Sequence, residues 1–201
     1  MNVLFIITDQ QRADMMDCSG NKVIKTPNLD RFASESVRFS NAFCTNPMCM
    51  PNRATLLTGY YPNMHGVRSN GINLPLDIPT ITQTLANRGY HTINVGKMHL
   101  NFWTPPYDPK DRSAECFDDW KIEDPKGEYL SQDKFPIPYY GFEEVDLVLG
   151  HGAACLGHYH DWLKEKSPEI AKSVIKQHME DVPIFHLFND NNIPEELYAT
   201  T

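Results

Sequence analysis

Positive charge is scarce in this sequence: 18 lysines and arginines stand against 26 aspartates and glutamates, a formal net charge of −8. Nucleic acids and acidic membrane surfaces are held through basic faces, so neither is expected as a partner. Long apolar runs are also missing. The first one, in "MNVLFIITDQQ", ends at Asp9 and has no basic stretch ahead of it. That pattern predicts a buried strand, not a secretory leader or a membrane span. Cysteines are few and odd in number: Cys18, Cys44, Cys49, Cys116 and Cys155, with no CxxC pair and no zinc-type spacing. A reducing compartment, the cytoplasm, is the expected location. Internal repeats and low-complexity tracts are absent.

The 201 residues, 41% of them hydrophobic and 11% aromatic, are enough for one sizeable α/β domain or a large piece of one. "NVLFII" is continuous and rich in branched residues, as in a strand buried on both faces. Thr26 and Pro27 open a helix in "TPNLDRFASES", whose Leu29, Phe32 and Ala33 share a face. "VRFSNAFC" alternates like a strand. "MPNRATLLTG" reads as a short helix opened by Pro51 and closed by Gly59. "IPTITQTLANRGY" is a further helix stopped by Gly89, and "HTINVG" a further buried strand. Residues 101–140 mix Pro, Asp, Lys and aromatics without a period, the mark of a long irregular insertion. "FEEVDLVLG" is then a strand, and "HYHDWLKEK" and "PEIAKSVIKQHMED" are expected to be solvent-facing helices. This alternation predicts an α/β fold with a mostly parallel sheet flanked by helices. "IPEELYATT" opens a helix at Pro194 that has one turn before Thr201, so the fold is expected to be incomplete, with residues 1–201 its amino-terminal portion.

Three short stretches carry chemistry. Asp9 and Gln10 follow the first predicted strand and offer hard oxygen donors suited to Ca²⁺ or Mg²⁺; a cap on the next turn is the alternative for Asp9. Cys49, in "NPMCMPNRATLLTG", could be a small buried hydrophobe. Its polar, turn-rich setting instead suits a thiol whose negative charge a helix N-terminus and Arg53 would stabilise. In "VGKMHL", strand alternation would turn Lys97 and His99 to one side. A cation beside an imidazole at a strand's carboxyl end suits an oxyanion with a leaving group to protonate; a surface lysine and a capped histidine are the alternative. His151, His158 and His160 in "GHGAACLGHYHDW" do not share a helical face, which favours structural or surface roles over a metal site.

Together, "NVLFIITDQQRAD", "TPNLDRFASESVRFSNAF", "CMPNRATLLTG" and "GKMHL" resemble the type I, formylglycine-dependent sulfatases of the alkaline-phosphatase superfamily in order and spacing. The resemblance is strong over the first half and weaker through "GFEEVDLVLGHG" and "HYHDWL". CxPxR alone is a weak pattern; joined to the strand-Asp motif and GKxH it is a specific one. The resemblance implies that a separate maturing enzyme oxidises Cys49 to formylglycine. The hydrated aldehyde would attack the sulfur of a small-molecule sulfate ester and the alcohol would leave; loss of a proton from the second hydroxyl would then expel sulfate. It further implies that Asp9, Gln10 and position 49 bind a divalent metal, Ca²⁺ first, with Mg²⁺ or Mn²⁺ as alternatives. Arg53 would hold the hydrated formylglycine, Lys97 a sulfate oxygen, and His99 the formylglycine or its diol. Asn70, in "RSNG", would touch the substrate oxyanion.

Two departures stand out. Asn52 occupies a position that is commonly Ser, and the downstream metal motif and later His and Lys of the family have no counterpart; Asp190 and Asn191 lack a following Gly in register. Two alternatives therefore stay open: a phosphonate monoester or phosphodiester hydrolase of the same superfamily, and a truncated, non-catalytic remnant. The sulfated alcohol is not legible, although Trp103, Tyr107 and Trp120 could stack on a ring or anchor the insertion.

Overall fold

The structure, a computed structural model, describes residues 1–103, 114–116, 135–151 and 155–179, with side chains to residue 173. Tyr107, Trp120, Asp190, Asn191 and Pro194 lie outside the described residues, as does most of the expected 101–140 insertion. The chain divides into two compact units, Met1–Phe43 and Cys44–Thr201.

In the first unit, helix α1 spans Pro27–Ser34 with Pro27 in its opening turn, as predicted. Thr26 anchors this start: its hydroxyl accepts the Asp17 N–H and donates to Asp30, whose carboxylate also takes the Cys18 N–H. Two short 3-10 turns, Ala13–Met15 and Asp17–Ser19, precede it. The expected strand "NVLFII" does not form. Residues 2–7 join no ladder among the described residues, and Val3, Leu4, Phe5 and Ile6 are exposed. "VRFSNAFC" is likewise not a strand, with Val37, Phe39 and Phe43 exposed. Cross-strand pairs stabilise a strand, so apolar content without a ladder partner is insufficient. Leu29 and Phe32 are exposed too, and none of residues 1–43 is fully buried.

The second unit holds helices α2 (Cys49–Thr58), α3 (Pro62–His65) and α4 (Ile81–Ala86), then strands β1 (Ile93–Gly96), β2 (Glu144–Leu149) and β3 (Leu156–Gly157), and helices α5 (His158–Lys166) and α6 (Pro168–Met179). Gly59 ends α2 at φ +71°, where a side chain would be strained. Thr80 caps α4 by accepting the Gln83 N–H at 3.1 Å. The sheet runs in the order β1-β2-β3. Strands β1 and β2 are parallel, with Ile93 opposite Glu144 and Gly96 opposite Leu147, while β3 returns antiparallel to β2. The result is a small mixed sheet flanked by helices.

Alternation along β2 sends Val145, Leu147 and Leu149 into the core, where they meet Met50, Ala54, Leu74, Leu156 and Leu163. Each fully buried leucine contributes about 1.5–3 kcal/mol. Strand β1 differs from its prediction: Ile93 and Val95 are exposed, because β1 stands at the edge of this sheet and one face is uncovered. Helix α5 also corrects its prediction as solvent-facing, since His158, Tyr159, His160 and Leu163 are buried. Backbone pairs one ring nitrogen of each histidine: His158 Nδ1 accepts the Leu147 N–H at 2.9 Å, and His160 Nε2 donates to the Ala171 carbonyl at 3.1 Å. Burial holds both imidazoles below their ordinary pKa. Among the described residues no helix is long and apolar enough to cross a membrane.

Candidate active site at the start of helix α2

Helix α2 opens on Cys49 itself, two residues earlier than Pro51 suggested. Proline is tolerated there because first-turn N–H groups have no partner inside the helix. One of those orphans is satisfied from outside: Asn70 Oδ1 accepts the Met50 N–H at 3.0 Å. Asn46 Oδ1 accepts the Met48 N–H at 2.9 Å, just before the helix. Asn70, expected at the substrate, is thus tied to the terminus that carries Cys49. Cys49 is half-buried, at the positive end of the helix.

Arg53 lies one turn further on, on the same side of α2 as Cys49. It is buried, and its Nη1 donates to the carbonyl of Lys97 at 2.5 Å. Lys97 and His99 are also buried, at 6% and 4% exposure. The chain leaves β1 through two left-handed residues, Gly96 at φ +109° and His99 at φ +50°. For histidine that conformation costs about 1–2 kcal/mol, so the surroundings must impose it. Trp103 stacks on the His99 ring with centroids 3.7 Å apart and planes 15° apart. The Lys97 ammonium sits 5.1 Å from the Trp103 ring centroid, and 3.2 Å and 3.4 Å from the two nitrogens of His151. Lys97 and His99 therefore both meet Trp103, across a backbone that no longer alternates as a strand.

Three residues near this site were not singled out for it from sequence. His151, read as structural or on the surface, faces Lys97. His65 is buried beneath α2; its Nδ1 accepts the Val67 N–H at 3.1 Å, which leaves Nε2 to donate to the Thr55 hydroxyl at 3.0 Å. Burial lowers its pKa and keeps the ring neutral. Glu115, within the aperiodic stretch, is wholly buried against residues 100 and 101. The only local hint for His65 was "NMHG", a histidine one residue before a helix-ending glycine; Glu115 had none.

Asp9 is half-buried and Gln10 exposed, both in the first unit. Among the described residues no group of three or more His, Cys, Asp or Glu side chains is disposed to hold a metal. Asp9, Gln10 and position 49 together fall short of the six to eight oxygens calcium takes, so the described donors do not make a complete site.

The comparisons with known proteins agree with the motif pattern. The family model described as Sulfatase matches residues 1–167. The chain is 38% identical over 147 residues to an ulvan-active sulfatase of Formosa agariphila, covering 73% of this chain and 28% of that protein. Among solved structures, a Bacteroides fragilis protein described as a YidJ sulfatase aligns with TM-score 0.50 at 36% identity, over 53% of this chain and 24% of that one. The phosphonate monoester hydrolase of Agrobacterium radiobacter aligns with TM-score 0.54 at 28% identity, over 81% of this chain and 28% of that one. The chain thus spans about a quarter of the length of these relatives. With the matched residues running through the α2 terminus, the 97–99 segment and α5, the chain belongs to the sulfatase family.

Proposed function

We propose that the protein hydrolyses small-molecule sulfate esters, with position 49 as the nucleophile once a maturing enzyme has converted Cys49 to formylglycine. The observation that carries this reading is the Arg53–Lys97 contact, which joins the CxPxR helix to the GKxH loop. Formylglycine supplies a hydrated aldehyde at position 49. The chain's own residues do the rest. The Lys97 ammonium, a donor of up to three hydrogen bonds, neutralises sulfate oxygens whose charge grows towards the transition state. Arg53 stabilises negative charge at position 49, and His99 holds or moves a proton there. Asn70 keeps the helix terminus aimed at the site by holding the Met50 N–H. Asp9 and Gln10 would be among the oxygen donors to a divalent cation, calcium being the best match to such ligands.

A phosphoryl substrate is the second reading, favoured by the alignment with the phosphonate monoester hydrolase. The test is turnover of an aryl sulfate against an aryl phosphonate monoester, by protein matured in its native host. Sulfate preference, a formylglycine at position 49 by mass spectrometry, and loss of turnover in Cys49→Ala support the proposal. An intact thiol in a protein that hydrolyses neither ester sinks it and leaves a non-catalytic remnant.

A further inference from the structure

The stretch 101–140 shows no readable period, yet Glu115 within it is completely buried. Its Oε1 accepts the N–H groups of Leu100 and Asn101, each at 3.1 Å, and its Oε2 lies 3.2 Å from the Leu100 nitrogen. The Tyr139 hydroxyl donates to Oε1 at 3.1 Å. Asn101 Nδ2 donates to the hydroxyls of Tyr139 and Tyr140, and the Tyr140 hydroxyl donates to the Leu74 carbonyl. Successive amides converge on one anion when the backbone turns through a left-handed residue, and His99 is that residue. A buried carboxylate is costly unless hydrogen bonds repay it, and simple packing would be served by an apolar side chain.

We propose that Glu115 is the positioning residue of the Lys97–His99 pair: by gathering the amides of residues 100 and 101 it imposes the left-handed turn at His99. The direction in which the His99 side chain leaves the backbone, relative to Lys97, follows from that turn. The kinetic consequence rests on the sulfate-ester reading; the conformational one does not.

The test compares the protein as its host makes and matures it with Glu115→Gln and Glu115→Asp. Amide hydrogen exchange and steady-state hydrolysis of an aryl sulfate are measured for each. Glu115→Gln keeps the size but turns an NH₂ group towards amide donors. Exchange at residues 100 and 101 should accelerate by about tenfold or more, with the amides of α2 unchanged. The kcat should fall by about a hundredfold with KM within a few-fold, and Glu115→Asp should recover part of it. Unchanged exchange at residues 100 and 101 overturns the proposal, as does a kcat loss that only follows the unfolded fraction. If Glu115→Gln does not fold, Glu115→Asp carries both readouts, and wild-type values in it overturn the proposal. If the unaltered protein hydrolyses no sulfate ester, the proposed function falls and the exchange comparison alone decides the positioning role.

Discussion

The Arg53 guanidinium and the Lys97 carbonyl meet at 2.5 Å, although 44 positions separate them in the chain. The contact ties Arg53 to the backbone of residue 97, while the Lys97 ammonium faces His151 and Trp103. Two buried cations thus sit close together, each beside electron-rich groups.

Arg53→Ala removes a charge-assisted bond and strands a buried carbonyl. The expected loss is about 2–3 kcal/mol of stability, read from the urea midpoint. Arg53→Lys should recover little, since a lysine lacks the planar fork that reaches the carbonyl. Full recovery by lysine would show that only charge matters there.

Lys97→Met should separate stability from activity. Burying an ammonium is costly, so its replacement by a similar apolar side chain should leave the melting temperature unchanged or raised. Aryl sulfate turnover should fall by about 10²–10³-fold, as for loss of an oxyanion donor. Lower stability with intact turnover would make Lys97 a structural residue.

Glu115 predicts an unusual pH dependence. Burial raises its pKa from 4.5 to about 7, against the opposing pull of the Leu100 and Asn101 amides and the Tyr139 hydroxyl. Tyr139 and Tyr140 are the titratable groups facing it, and both are held well above their ordinary values by burial. The folded state binds this proton more tightly than the unfolded state. The group's contribution is therefore fully present below pH 4.5 and is lost as pH rises through about 7. The difference across that window is on the order of 3 kcal/mol. Subtracting the Glu115→Gln stability curve from the wild-type curve should show this fall with rising pH; a flat difference refutes it.

His65 works in the other direction. Its pKa is lowered by burial, so it is neutral when folded, and stability is lost as pH falls below 6.5. His65→Ala should cost about 1–3 kcal/mol at pH 7.5, by leaving the buried Val67 N–H without its acceptor. Its denaturation midpoint should also depend less steeply on acid than the wild type's. His158 and His160, lowered by the same cause, would retain their share of the acid sensitivity.

Much of the local structure was legible in the sequence. Thr26-Pro27 opened α1 and Gly59 closed α2, because helix starts and left-handed stops act within a turn of themselves, whereas α4 ends at Ala86, three residues before the expected stop at Gly89. The alternation in "FEEVDLVLG" was read correctly as β2, since its inward face is covered. The family was legible as well, because its motifs are short, ordered along the chain and chemically specific. Other features depend on what stands opposite a segment. "NVLFII" has a strand's composition but no ladder partner among the described residues. The histidines of α5 looked polar and outward until the backbone of β2 and α6 supplied their partners. The Trp103–His99 stack, His151 beside Lys97, and the amides gathered by Glu115 have no local signature. By itself the sequence determined where most helices lie, the motif residues and the family. Tertiary structure alone decided which side chains surround Lys97 and His99, because those contacts join residues far apart in the chain and depend on burial that no local pattern encodes.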